Sequence, residues 1–221
     1  MASTIVLTGA NRGIGLELAR QWQTRGETVI AVCRCPSEEL RALGVRIIDG
    51  IDVSDDASLR RLRKELDGTR VDVLYNNAGI LRDEHLDAMD YDQIREQFEI
   101  NTLGPLRVTT ALLDRMAEGG RVGLMTSRMG SIADNDSGGR YGYRMSKAAL
   151  NAAGKSLALD LQPLGIAVAI LHPGYVRTEM TGHRGQITPA EAAERLIQRM
   201  DELGLENTGT FWHSDGTVLP W

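Results

Sequence analysis

The sequence has almost no cysteine: Cys33 and Cys35 are the only two in 221 residues, and they stand two positions apart. A disulfide across so small a ring is strained, and two thiols supply at most half a metal site. Free, reduced thiols are expected, as in a reducing compartment. The four histidines, His85, His172, His183 and His213, lack the spacing of a metal triad, so no metal is expected. Positive charge is not in surplus either. Lys and Arg number 25 against 30 Asp and Glu, a net charge of −5, which argues against nucleic acid as a partner. The arginines of Arg60-Arg61-Leu62-Arg63-Lys64-Glu65 alternate with other residues as on a solvated helix face. No apolar run is long enough to span a bilayer. Met1-Ala2-Ser3 leads straight into an apolar strand without a basic leader region, so a cytoplasmic protein with no membrane partner is expected. Finally, no Pro-, Gly- or Ser-rich linker divides the chain, and residues 1–221 are expected to form a single domain.

What is present is an alternation of short β-branched runs with longer helical patterns. Thr4–Leu7, Thr28–Val32, Val45–Ile48, Val71–Tyr75, Val122–Met125 and Ile166–Ile170 read as strands. Most are continuous apolar runs, as parallel strands covered on both faces require. Between them, Leu59, Leu62 and Leu66 share one helical stripe, and Leu150, Gly154, Leu157 and Leu161 another. Strand–helix–strand repetition predicts an α/β, doubly wound (Rossmann) parallel sheet of about seven strands flanked by helices.

Directly after the first strand stands Thr8-Gly9-Ala10-Asn11-Arg12-Gly13-Ile14-Gly15, then a helix opening. Glycines let the backbone turn and approach a pyrophosphate, and a helix N-terminus offers unpaired N–H groups. The second strand ends in Cys33-Arg34-Cys35, with no carboxylate before Glu38. An Asp or Glu there would accept from a ribose 2′-hydroxyl and repel a 2′-phosphate. Arg34, helped by Arg12, can instead clamp a phosphate, so NADP(H) is expected over NAD(H).

Tyr143 and Lys147 lie four residues apart on a predicted helix, on one face. A neighbouring cation favours phenolate, which brings the phenol nearer to useful acidity at neutral pH. Tyr141 has Met145 at the corresponding place and lacks that partner.

Taken together, these motifs resemble the short-chain dehydrogenase/reductase family from Thr4 onward. The loop from Thr8 to Gly15, Asn76-Asn77-Ala78-Gly79, Tyr143-x-x-x-Lys147 and Pro173-Gly174 carry the likeness. Ser127-Arg128-Met129-Gly130-Ser131-Ile132, Leu171-His172-Pro173-Gly174 and Leu219-Pro220-Trp221 narrow it to a small carbonyl-reductase-like branch, which includes the C-factor signalling proteins and the fly sniffer reductase. The resemblance implies a carbonyl or alcohol as small-molecule substrate and a catalytic tetrad of Asn101, Ser127, Tyr143 and Lys147. In that scheme Tyr143 donates the proton, Ser127 holds the carbonyl oxygen, and Lys147 binds the nicotinamide ribose and depresses the Tyr143 pKa. Asn101 holds a water leading from Lys147 to solvent. Ser127 lies 16 residues before Tyr143, and Ser131 is the alternative. The implied cofactor contacts are Gly9, Asn11, Arg12, Gly13, Ile14, Gly15, Arg34, Asp52, Val53, Asn77, Ala78, Gly79, Tyr143, Lys147, Pro173, Gly174, Val176 and Thr178. Asn77 can equally be read as purely structural.

By the same resemblance, helices over residues 91–115 and 141–162 pair across a two-fold axis into a homodimer or homotetramer. The stretch from Tyr175 to Gln186 folds over the substrate; being short, with Gly182 and Gly185, it is expected to leave the cleft open and mobile. Ser131, Ile132, Asp134 and Tyr175 are expected wall residues. The alternative function is a dinucleotide-binding, C-factor-like signalling or scaffold protein with vestigial redox activity.

Overall fold

In the computed structural model, which describes residues 2–221, the apolar runs become seven strands of one sheet. They are β1 (Thr4–Thr8), β2 (Thr28–Val32), β3 (Arg46–Ile48), β4 (Val71–Asn76), β5 (Met116–Met125), β6 (Ala167–His172) and β7 (Thr210–His213). Their order is β3-β2-β1-β4-β5-β6-β7, and every pairing is parallel. Alternate residues feed opposite faces. Ile5, Leu7, Val29, Ala31 and Tyr75 pack beneath α1 (Gly13–Thr24) and α7 (Pro189–Asp201). Val6, Ile30, Val32, Leu74 and Val122 pack beneath α3 (Asp56–Glu65), α5 (Gly104–Leu112) and α6 (Tyr141–Leu161). Each large side chain so enclosed contributes about 1.5–3 kcal/mol of transfer free energy, so both faces of the sheet are well supported. The two shorter helices are α2 (Glu38–Ala42) and α4 (Tyr91–Phe98). No helix among the described residues is long and apolar enough to cross a membrane.

Three departures from the sequence reading have physical causes. Strand β5 begins at Met116, because Met116 pairs with Val71 before the register shifts and resumes at Val73 opposite Arg121. Strand β7 carries only Thr-Phe-Trp-His at the sheet edge, too short a run to announce itself by periodicity. The helical stretch expected over 91–115 is interrupted. Between α4 and α5, Glu99–Leu103 forms a π turn in which the Gly104 N–H donates to the Glu99 carbonyl. Pro105 supplies the reason, since it has no N–H to give to the Asn101 carbonyl, and its ring crowds that oxygen.

The chain runs outward from β1 to β3 and then returns to place β4 on the other side of β1. The loops leaving β1 and β4 therefore diverge, and a crevice opens at the C-terminal ends of these two strands.

Candidate active site

The loop after β1 is shaped by what its glycines touch. Gly9 has φ of +66°, and a Cβ there would stand 2.8 Å from the Ala78 Cα. A Cβ on Gly15 would stand 2.1 Å from the Gly9 carbonyl oxygen, so only glycine lets α1 start this close to the strand. Asn77 fastens the arrangement: its Nδ2 donates to the carbonyls of Thr8 at 3.1 Å and Gly9 at 2.9 Å. The Thr8 hydroxyl in turn accepts from the N–H groups of Asn77 and Ala78. Asn77 thus does structural work across the strand ends. Helix α1 has no side-chain cap, whereas α3 is capped by Asp55 and α7 by Thr188. Its first-turn N–H groups are left for an acceptor in the crevice.

That crevice is a cleft of about 810 Å³. Its walls include Gly9, Asn11, Arg12, Gly13, Ile14, Gly15, Arg34, Asp52, Val53, Asn77, Ala78, Gly79, Tyr143, Lys147, Pro173 and Thr178. Arg34 is exposed on this wall and makes no ion pair among the described residues. Arg12 pairs with Glu179 across the cleft mouth. Burial pushes the Asp52 carboxyl up, but hydrogen bonds from the Ser54 hydroxyl and N–H, with Arg34 nearby, outweigh this and leave it below the ordinary carboxylate value. A glycine cradle, an uncapped helix start and an unpaired guanidinium beyond the second strand together fit a dinucleotide carrying an extra phosphate. Cys33 is buried and Cys35 exposed, and both are free; burial pushes the Cys33 thiol up to about 11.

Tyr143 and Lys147 stand in the first two turns of α6, both nearly enclosed. The Lys147 Nζ lies 5.8 Å from the centre of the Tyr143 ring and donates to the Met125 carbonyl at 2.8 Å. Burial pushes the Lys147 amine down to about 7. Burial also pushes the Tyr143 phenol above its ordinary value, with hydrogen bonding from Ser127 and then the Arg140 charge opposing it. The expected lowering of the Tyr143 pKa by Lys147 is therefore not found. Desolvation dominates at both groups, because the enclosure that raises the phenol also disfavours the ammonium.

Ser127 lies just past the end of β5 and opens a 3-10 turn over Arg128–Gly130. Its hydroxyl accepts from the Met129 N–H at 3.1 Å. The turn is pressed onto α6: a Cβ on Gly130 would meet the Lys147 backbone at 2.7 Å. Asn151 holds it there, donating to the Gly130 carbonyl and accepting from Thr126 at 2.6 Å. Asn101 is completely buried in the π turn, behind the cleft wall. Its Nδ2 donates to the Ile80 carbonyl at 2.9 Å and the Ser146 hydroxyl at 3.1 Å, and its Oδ1 accepts from the Ile80 N–H at 2.8 Å. Asn101 and Lys147 flank Gly79, where a Cβ would lie 3.2 Å from Asn101 Oδ1 and 3.6 Å from Lys147 Nζ.

A second cavity of about 360 Å³ adjoins the cleft, and Tyr143, Thr126, Pro173, Thr178 and Met180 line both. Ser127, Asp134 and Tyr175 face it, as do Gly174 and Val176, which were expected on the cofactor side. The difference arises because β6 ends at His172 and the chain turns at Gly174, with φ of +91°, toward the second cavity. Ser131 and Ile132 are not on its wall. The Ser131 hydroxyl donates to the Trp221 carbonyl and accepts from the Asp134 N–H, while Ile132 is 82% exposed. Ser131 therefore drops out as an alternative to Ser127. The stretch over 175–186 is tied into the fold: Val176 bridges to Ile187, the Gln186 N–H donates to Tyr175, and the Thr181 hydroxyl donates to Val176.

Other walls of the cavity, which the sequence reading did not assign to it, include Leu81, Arg128, Met129, His172, Arg140, Arg144 and Arg184. Arg128, Met129 and His172 stood within motifs already singled out and Arg144 is the immediate neighbour of Tyr143, whereas Leu81, Arg140 and Arg184 carried no signal. Burial pushes His172 down to about 3, and its Nδ1 has no partner among the described residues. Also unforeseen was Glu84, a buried carboxylate that accepts from the Gly142 N–H at 3.2 Å and from Gln97, fastening the start of α6.

Comparison with known proteins agrees with this geometry. The family model for short chain dehydrogenase matches residues 3–188. A 1-hydroxy-2-glutathionyl-2-methyl-3-butene dehydrogenase from a Rhodococcus strain is 44% identical over 99% of this chain and all of its own. The protein named C-signal from Myxococcus xanthus is 45% identical over 68% of this chain and 93% of its own. The structure of an NADPH-bound carbonyl reductase from chicken fatty liver superposes with a TM-score of 0.88 at 27% identity, over 100% of this chain and 99% of that one.

Proposed function

We propose, since the chain belongs to the short-chain dehydrogenase family, that it is an NADP(H)-dependent oxidoreductase interconverting a carbonyl and an alcohol, with Tyr143 as the proton-transferring group. The observation that carries this reading is the position of Tyr143. Its side chain is common to the cleft and the second cavity, with Ser127 facing one and Lys147 the other. The nicotinamide, when bound, supplies or accepts the hydride.

The protein's part is to bind, orient and move a proton. Backbone N–H groups at the start of α1 and the loop through Gly9 to Gly15 receive the pyrophosphate, and Arg34 receives the 2′-phosphate. Support for the phosphorylated cofactor comes from the unpaired Arg34 and from the NADPH-bound carbonyl reductase of similar fold. Lys147 donates to the nicotinamide ribose hydroxyls from its place beside Gly79. Ser127 hydrogen-bonds the substrate oxygen and aligns it, and Tyr143 gives that oxygen its proton during reduction or removes it during oxidation. Asn101 acts through the backbone it holds, fixing Ile80 and the adjacent Gly79 against Lys147. Both directions have a counterpart among the similar proteins, one named as the dehydrogenase of a 1-hydroxy compound and one as a carbonyl reductase.

The test is steady-state oxidation of NADPH, then NADH, over aldehydes, ketones and dicarbonyls, with Tyr143→Phe alongside. Turnover that prefers NADPH and falls at least about a hundredfold in the variant is expected, since the proton donor is lost. The signalling reading suggested by the C-signal relative gives the Tyr143–Lys147 pair no task. It would gain ground only if NADPH bound tightly and no carbonyl or alcohol turned over.

A further inference from the structure

The second cavity carries a charge of its own, opposite to that of the protein. The chain as a whole is acidic at −5, yet the cavity wall has four arginines, Arg128, Arg140, Arg144 and Arg184, against one carboxylate, Asp134. Two of the four are already neutralised. Arg128 pairs with Asp134 through two donors, and Arg140 pairs with Asp83 at 2.8 Å. Arg144 and Arg184 have no such partner among the described residues. Arg144 donates only to neutral oxygens: the Gly138 carbonyl at 3.3 Å, the Met129 carbonyl at 3.5 Å and the Ser137 hydroxyl at 2.8 Å. Arg184 donates only to the Thr181 carbonyl, at 3.4 Å.

The two also come from different elements, Arg144 from the first turn of α6 beside Tyr143, and Arg184 from the segment that follows β6. They thus overlook one space from two sides. Arg144 is half-buried, and its neutral contacts hold the side chain in place before any ligand arrives. A guanidinium fixed in this way, next to apolar walls such as Leu81, Met129 and Met180, meets an anion at little ordering cost and in reduced solvent screening. His172 on the same wall is neutral and adds nothing to the positive field.

We infer that the substrate carries a carboxylate in addition to its carbonyl or alcohol group, and that Arg144 and Arg184 are the specificity-determining residues that seat it. This rests on the oxidoreductase reading for the identity of the reacting group, but the anion preference belongs to the cavity itself. It also agrees with the 44%-identical relative, whose named compound bears a glutathionyl group, a substituent with two carboxylates.

The experiment compares 4-carboxybenzaldehyde with its methyl ester, which keeps size and carbonyl but removes the charge. Both are titrated calorimetrically into the protein with and without NADP⁺, where no hydride is available, and both are assayed with NADPH. The acid is expected to bind at least about tenfold more tightly than the ester and to have the larger kcat/KM, as one charge-assisted contact provides. This advantage shrinks at high ionic strength. In the Arg144→Met, Arg184→Met double variant the acid-to-ester ratio falls to near one. Equal binding of acid and ester, tighter binding of the ester, or a ratio untouched by the double variant overturns the inference. If the acid binds selectively but neither aldehyde is reduced, the anion site stands and the carbonyl-reductase reading falls. If both are reduced without preference, the reverse holds.

Discussion

Replacing Lys147 by methionine removes an ammonium that the fold has taken out of water, and its effect on stability depends on pH in a calculable way. In the unfolded chain the amine has its ordinary value of 10.5, while burial pushes it down to about 7 in the folded protein. Between these pH values the unfolded chain holds the proton and the folded chain does not. Unfolding therefore takes up a proton, and the contribution of this group makes stability rise with pH across the window. Integrated, its burial costs about 4 kcal/mol at pH 7, about 2 kcal/mol at pH 9 and almost nothing above 10.5. Lys147→Met has no such dependence. It does leave the Met125 carbonyl without its donor, at roughly 1–3 kcal/mol, but that cost is the same at every pH. The difference in stability between variant and wild type should therefore move by about 2 kcal/mol against the variant from pH 7 to pH 9. For a chain of this length that is roughly 4–8 °C in the difference between their Tm values. Thermal unfolding of both cofactor-free proteins across this range reads it directly. A gap that stays constant, or one that moves in the variant's favour with rising pH, would refute the account of Lys147 as a desolvated amine.

Other substitutions probe separate parts of the site. Arg34→Asp should lower kcat/KM for NADPH at least about tenfold relative to NADH, because a carboxylate repels the 2′-phosphate and accepts from a 2′-hydroxyl. Measuring both cofactors in one assay checks this. Gly15→Ala forces a methyl group onto the Gly9 carbonyl, so the loop must shift; NADPH affinity should fall by more than about tenfold, read by fluorescence titration. Glu84→Ala strips the Gly142 N–H and Gln97 of their acceptor and should cost about 1–3 kcal/mol in urea unfolding. The same variant should reduce kcat through disorder at the start of α6, with Glu84→Gln recovering part of both losses.

The parts legible in the sequence were those encoded by local pattern. Parallel strands buried on both faces show as apolar runs, and the glycine loop must follow a strand and open a helix. Tyr143 and Lys147 share a helical face by spacing alone. What escaped was set by packing between distant segments. Nothing near Ser131 announces that its hydroxyl is taken by Trp221, ninety residues away. Nor does the run of polar residues at 135–140 show that Arg140 and Arg144 will face Arg184 across a cavity. The pKa expectation for Tyr143 failed for a related reason. Spacing gives proximity to a cation, but burial, which decides here, is a property of the folded whole.

The π turn at Glu99–Leu103 has a bearing on how this chain tolerates deletions. An i→i−5 turn is an α-helical turn holding one residue too many, so excising a single residue there would narrow the junction of α4 and α5 to ordinary helical width, with Pro105 still leaving one carbonyl unpaired. The flanking helices would keep their places, while residues left in the turn would be re-phased by about 100° around the axis. Asn101 would then point away from Ile80 and Ser146, and the segment carrying Gly79 would lose its clasp. At this one place a shorter chain makes the better helix, and the surplus residue persists at the expense of regularity because it aims an amide inward.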